Sequence, residues 1–352
     1  MYILFAILAF GVLILTHELG HFLVAKACHV KVLEFSMGMG PRLLHWQGEE
    51  TDYSLRLLPL GGYCAMEGED DESDDPRAFR NQAAWKRALI LVAGASMNFL
   101  TGFLLVLALY SDAAGFSSAT IRDFYPACPY EGDLQVGDSI YSVNGERVYF
   151  MGNFSEYVGK TKRDGYVDLV LIRDGRRVRL ENYHLVPVEY TMEDGSTETK
   201  YGLYFDTVPM TFGNWLRYSW YSCLDFVRMV RMGLVTLLTG GAKVSDMSGA
   251  VGMVDIISDV GEQSASTADA LANMSYLIAF IAINLAVMNL LPIPALDGGR
   301  VFTLILTVLY EKIFRTKADP RVEQYFHSAG MILLLGLMVV VMYNDIARII
   351  GL

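Results

Sequence analysis

The segment Thr16-His17-Glu18-Leu19-Gly20-His21 sets two imidazoles four residues apart with a carboxylate between them. On an α-helix, positions i and i+4 share a face, so His17 and His21 can hold one metal ion. Zinc suits such a pair at Zn–N distances of about 2.0–2.1 Å, and a catalytic zinc wants one further protein ligand and an open position. Glu18 stands beside the pair and can take a proton from water. All three residues interrupt an otherwise apolar run, residues 1–27. Ionisable groups at bilayer depth are costly and mark function by default, whereas polar groups that only pack helices are usually Ser, Thr or Asn. A third ligand is available far along the chain. The segment NLLPIPALDGG, residues 289–299, closes another apolar run with Asp297. Its prolines stop the helix and its glycines let the backbone turn. Asp297 equally suits the N-cap of a helix over 298–310, and capping and ligation can coexist.

The elements that carry these residues are long and apolar. Runs at residues 1–27, 88–110, 274–291 and 327–343 approach the roughly 20 residues needed to cross a bilayer. Of the 352 residues, 53% are hydrophobic and 19% charged. Soluble chains carry roughly a quarter charged residues, so a soluble enzyme and a disordered chain are both disfavoured. The net charge of −11 offers no basic footprint, so no nucleic-acid partner is expected. Cys28, Cys64, Cys128 and Cys223 form no CxxC pair, which argues against a disulfide framework. Ala25-Lys26-Ala27 imitates a signal-peptide cleavage site, but no basic stretch precedes the apolar run, and His17, Glu18 and His21 have no place in a leader.

Residues 32–67 alternate and turn like β-hairpins, with Gly38, Gly40, Pro41, Gly61 and Gly62 as punctuation. They are too apolar for a free loop and too broken for a helix, which suggests a β-element dipping into the bilayer under cover of protein. The acidic run Glu67–Asp75, within a loop and linker over residues 68–87, is expected to be solvated. Between the second and third spans lies a small β-rich domain, residues 115–206, with hairpin turns at Asn144-Gly145 and Asp174-Gly175. Residues 212–240 follow. Arg217, Asp225, Arg228 and Arg231 fall on one helical side, so this helix is expected to lie on a surface rather than cross a membrane.

Taken together, HELGH on the first span and NLLPIPALDGG on the third resemble the site-2 protease family of intramembrane zinc metalloproteases, most closely its bacterial RseP-type branch. EFSMGMGPRLL and PLGGYCAMEGE resemble that family's membrane re-entrant β-element. ACPYEGDLQVGDSIYSVNGERV resembles a circularly permuted PDZ domain, and VEQYFHSAGMILLLGLMVVVMYND the last span. Two departures stand out. The family's Gly-Pro-xx-Asn is Gly94-Ala95-Ser96-Met97-Asn98, and its Ser-Gly-Pro-Val-Gly is Ser248-Gly249-Ala250-Val251-Gly252.

The resemblance implies a polytopic α-helical membrane protein of four transmembrane helices, with a membrane re-entrant β-element and an inserted extracytoplasmic PDZ-like domain. Its parts would be residues 1–27, 32–67, 68–87, 88–110, 115–206, 212–240, 248–297 (a linker and the third span), 298–322 (cytoplasmic) and 323–348 (the fourth span). One Zn2+ per chain would be held by His17, His21 and Asp297, with Glu18 catalytic. Asn289 would hold unwound substrate backbone, and Asn98 is a second candidate for that role. The substrates would be transmembrane proteins or peptides already trimmed outside: anti-sigma factors, signal-peptide remnants or pheromone precursors. The PDZ-like domain would act as a size filter or bind a new C-terminus.

Topology gives an internal test. His17 and His21 meet Asp297 only if the first and third spans run the same way, so one crossing must separate them. Short-loop charge sets the orientation. Lys26, Lys31, Arg77, Arg80, Lys86 and Arg87 crowd one side, joined by Arg300, Lys312, Arg315 and Lys317. The active-site end would face the cytoplasm of a bacterial inner membrane, with both termini and the PDZ-like domain outside. Two rival readings remain, an inactive membrane PDZ scaffold and a cation transporter. The first would be favoured by loss of His17, Glu18, His21 or Asp297, and all are present. The second would want an inverted repeat.

Overall fold

The computed structural model describes residues 2–349, apart from 70, 72, 162–163, 192–195, 242–248 and 317–318. Ser248 and Lys317, used above, lie outside the described residues. The chain divides into two compact units, residues 1–109 with 226–352, and residues 110–225.

The first unit is helical. Its helices are α1 (Tyr2–Ala27), α2 (Ala84–Leu109), the later part of α4 (Phe212–Leu238), α5 (Ala250–Glu262), α6 (Thr267–Asn289), α7 (Asp297–Phe314) and α8 (Pro320–Ile349). Among the described residues, four stretches are long and apolar enough to cross a membrane: α1, α2, α6 and Tyr325–Ala347 of α8. Two start earlier than hydropathy alone indicates. The first turn of α6 is polar and is capped by Ser266, whose Oγ accepts the Asp269 N–H at 3.1 Å. The first turn of α2 carries Lys86 and Arg87. α2 packs against both α1 and α6. The approach to α1 is close because Gly20 has no side chain, since a Cβ there would meet the Ala93 carbonyl oxygen at 2.4 Å.

Two elements depart from the sequence reading. Residues 250–262, within the expected linker, form α5. Its N-terminal Gly249 and Gly252 amides donate to the buried Asp345 carboxylate at 3.0 and 2.9 Å. The helix after the third span begins at Asp297 itself, with Leu296 in the cap position, so Asp297 is not the N-cap.

Strands β1 (Val32–Gln47) and β2 (Asp52–Met66) form a long hairpin in this unit, and each strand bends back on itself. Residues 32–37 pair on one side with 62–66 and on the other with 52–55, and 52–56 pair in turn with 42–47. The result is a four-row sheet with 62–66 along one edge. The bends fall at Gly38, Gly40 and Gly61, each at φ near +85°, where side-chain-bearing residues are strained. Met39, Leu43, Leu44 and Trp46 are all exposed at the far end.

The second unit holds one main sheet of order β10-β3-β4-β6-β7, built from Leu203–Pro209, Gly115–Phe124, Ser139–Val143, Tyr166–Arg173 and Arg176–His184. The short β5 (Glu146–Arg147) pairs with β4, and β8 (Val188–Thr191) pairs with β9 (Thr197–Lys200). Helix α3 (Met151–Gly159) covers the sheet through Phe154, 1% exposed, against Tyr201 and Phe205. Asn144 and Asp174, both at φ 50° and followed by glycine, make the hairpin turns expected from their chemistry. Arg173 donates through Nε and a terminal nitrogen to both oxygens of the buried Asp138, at 2.7 Å each.

Candidate metal centre

α1 carries His17 and His21 one turn apart, and the turn after α6 delivers Asp297 to them from about 280 residues further on. His17 Nε2 lies 3.1 Å from Asp297 Oδ2, His21 Nε2 lies 3.3 Å from the same oxygen, and the two Nε2 atoms are 3.2 Å apart. Among the described residues, this is the one group of three or more potential metal ligands. Three ligands at about 2.0–2.1 Å from a tetrahedral centre would stand roughly 3.3 Å apart, close to the observed triangle.

The donor chemistry also fits a cation. His21 Nδ1 donates to the Ile90 carbonyl at 2.8 Å, fixing the ring. A neutral imidazole has one N–H, so Nε2 then presents a lone pair towards a carboxylate. Asp297 Oδ2 is buried without a hydrogen-bond donor. The His21 lone pair and the Asp297 carboxylate face one another, and a positive charge between them resolves the conflict. Space is left for it: a Cβ on Gly94 would lie 2.4 Å from His21 Nε2 and 2.8 Å from His17 Nε2.

A cavity of about 370 Å³ opens onto this triangle. Glu18 lines it, as do Tyr63, Cys64, Ala65 and Met66 from the sheet edge. The sheet comes close to Glu18 because Gly62 lacks a side chain, since a Cβ there would lie 3.1 Å from Glu18 Cγ. The two asparagines also converge on His17. Asn98 Nδ2 is 3.4 Å and Asn289 Nδ2 3.5 Å from His17 Nδ1. Asn98 is 1% exposed and its Oδ1 accepts from Thr16 Oγ1 at 3.3 Å, whereas Asn289 is half-buried. Asn98 therefore sits behind the ring, and Asn289 beside it.

Several participants were missed in the sequence. The Ile90 carbonyl gives no sequence signal, being backbone of an ordinary helix. Gly94 was noted only as part of a segment lacking its proline, although a glycine inside an apolar helix is itself a sign of close approach. The acidic run is not simply solvated. Glu69 forms an ion pair with Arg300, and both line the cavity. Arg300 lies three residues after Asp297, on the same helical face, which is the signal that could have exposed the pair. Elsewhere in the run, Glu67 is held below the usual carboxylate range by hydrogen bonds from Ser73 and Lys31.

The chain matches the family model described as Peptidase family M50 over residues 5–337. Its relatives include proteins named putative zinc metalloprotease. One from Clostridium acetobutylicum is 36% identical, over 98% of this chain and 97% of the relative. One from Clostridium perfringens is 32% identical, over 98% of each. One from Campylobacter jejuni is 30% identical, over 98% of this chain and 93% of the relative.

Proposed function

Because the chain belongs to peptidase family M50 and is a zinc metalloprotease with four helices apolar enough to span a membrane, we propose that it hydrolyses peptide bonds within the transmembrane segments of other membrane proteins. The observation that carries this reading is the placement of Glu18, the His17–His21–Asp297 triangle and an open sheet edge in one cavity, on helices of spanning length. His17, His21 and Asp297 would hold one zinc, which when bound would supply a Lewis acid able to polarise the scissile carbonyl and acidify water.

The chain's own residues do the rest. A helical peptide bond is shielded because its carbonyl accepts a hydrogen bond within the helix. The substrate must unwind, which frees its backbone groups at a depth where water cannot satisfy them. The 62–66 edge replaces the lost bonds by strand addition. Asn289, half-buried beside the triangle, holds the same unwound backbone. Glu18 accepts the proton of the attacking water and returns it to the leaving nitrogen, so that the amine departs neutral rather than as an amide anion.

The physiological substrates in this reading are pre-trimmed regulators of the anti-sigma-factor type or signal-peptide remnants, in a bacterial inner membrane. Residues 115–206 form an extracytoplasmic PDZ-like domain that controls access, and residues 32–67 a membrane re-entrant element. The test is cleavage of a transmembrane model substrate by the purified full chain in detergent. Wild type should cleave and stop with 1,10-phenanthroline. Glu18→Gln should keep its zinc yet lose at least a hundredfold in rate, since general-base catalysis contributes about 10²–10⁴-fold. Retained cleavage by Glu18→Gln would overturn the assignment.

A further inference from the structure

A second cavity, of about 460 Å³, lies on the other side of the Glu69–Arg300 ion pair. Glu69, Leu91 and Arg300 line both it and the cavity of the metal triangle. Its walls come from the starts of α2 and α7, from residues 327–332 of α8 and from the short helical turn Phe79–Asn81. Arg80, Arg87 and Arg300 line it together with His327 and Ser328, the Arg87 guanidinium lying over the Phe79 ring at 5.3 Å. Among the described residues that line it, Glu69 is the one carboxylate, against three arginines.

Its depth is set by the helices. Arg87 lies three residues inside α2, just before the apolar run 88–110, and His327 opens the apolar run 327–343, seven residues inside α8. Both side chains stand where their helices turn from polar to apolar sequence, the level of lipid headgroups. The opposite wall is apolar. Met331 and Ile332 line it at 48% and 72% exposure, and Leu335, 48% exposed, continues the apolar face along α8 into the hydrocarbon depth. Basic pockets between transmembrane helices at this level suit anionic headgroups. An inorganic phosphate would use the guanidinium groups but gain nothing from the apolar strip.

We propose that this cavity seats the phosphate of an anionic phospholipid, with the guanidinium groups on the headgroup and an acyl chain along Met331, Ile332 and Leu335. The guanidinium fork matches phosphate oxygens two at a time, which favours Arg over Lys here.

The test is native mass spectrometry of the full chain, released from detergent micelles doped with phosphatidylglycerol or with phosphatidylcholine of the same acyl chains. Wild type should retain one phosphatidylglycerol at least tenfold better than phosphatidylcholine. Millimolar inorganic phosphate should not displace it. Arg80→Gln/Arg87→Gln should retain the two lipids equally while keeping its zinc. Should that double variant fail to fold, the single Arg80→Gln variant should lower the preference at least threefold. An unchanged preference in a folded variant overturns the proposal. Displacement of the lipid by phosphate overturns the lipid as the ligand.

Discussion

A Cβ built on Gly94 lies 2.4 Å from Nε2 of His21, inside the distance any real carbon tolerates. The second apolar helix thus reserves with a missing methyl the space in which the two imidazoles and Asp297 meet. Gly94→Ala should push the rings off their common point. We expect zinc content, measured by metal analysis of the purified chain, to fall at least tenfold, with α2 still folded because alanine favours helix. Gly11→Ala is the control. That position on α1 has no atom within 4 Å of a built Cβ, and zinc content should not change there.

The triangle itself predicts unequal losses. His17→Ala/His21→Ala removes two of three ligands and should abolish zinc retention. Asp297→Ala leaves the two imidazoles and should weaken retention without abolishing it, since the imidazole pair persists on one face of α1. Full zinc in the double histidine variant would place the metal elsewhere.

Asn98 and Asn289 approach the same atom of His17, yet their surroundings assign them different work. For His17 to offer Nε2 to a metal, its Nδ1 must carry the proton and needs an acceptor. A half-turn of either amide supplies one. Asn98, shut in behind the ring with Thr16, should act on the ligand: Asn98→Leu is expected to weaken zinc affinity by about 10–100-fold. Asn289, half-buried beside the triangle, should act on substrate: Asn289→Leu is expected to raise KM with zinc affinity unchanged. A zinc titration alongside steady-state cleavage separates the two.

What was legible in the sequence had local chemistry behind it. The i, i+4 histidines, the proline-stopped third span and the Asn-Gly and Asp-Gly turns each name a conformation within a few residues. What was hidden depends on partners brought from afar. Glu69 sat in an acidic run that hydropathy assigns to water, and only the fold carries Arg300 to it across 231 residues. The doubled pairing of 32–37 was equally invisible, because alternation reports which face is apolar and not how many neighbours a strand has. Residues 250–262 resembled a linker because their helix is short and its end is capped by Asp345, nearly a hundred residues later.

The hairpin should tolerate mild acid. Burial alone would raise the pKa of Glu34, but hydrogen bonds from Ser54, Arg56 and Tyr63 outweigh it and bring it down to about 2. A carboxyl depressed in the folded state stabilises fully above its unfolded pKa, near 4.5, and loses that contribution as pH falls towards 2. Protease protection of residues 32–66 should therefore stay level from pH 7 to 5 and decline below about 4.5. Glu34→Gln should lower protection at pH 7 and flatten the acid limb. A wild-type decline centred near pH 6 would assign the effect to another group.

The last prediction concerns which way the chain threads the membrane. His17 and His21 sit towards the C-terminal end of α1, and Asp297 just beyond the C-terminal end of α6, yet the three meet within 3.3 Å. Two apolar helices whose same ends converge must run in parallel, so one crossing separates them, and α2 is that crossing. The basic residues flanking these ends, among them Lys26, Lys86 and Arg300, predict that this side faces the cytoplasm. Asp174, at an exposed hairpin turn of the second unit, should be outside, and Asp71 inside. Cysteines placed there can be read with a membrane-impermeant thiol reagent in intact cells. The background is small because Cys28, Cys64, Cys128 and Cys223 are all buried, and their replacement removes it. Asp174→Cys should label and Asp71→Cys should not, until the membrane is opened. The opposite pattern would invert the orientation. Labelling of both would mean that residues 71 and 174 share a side, that α2 does not cross, and that the parallel arrangement bringing Asp297 to the histidines cannot hold.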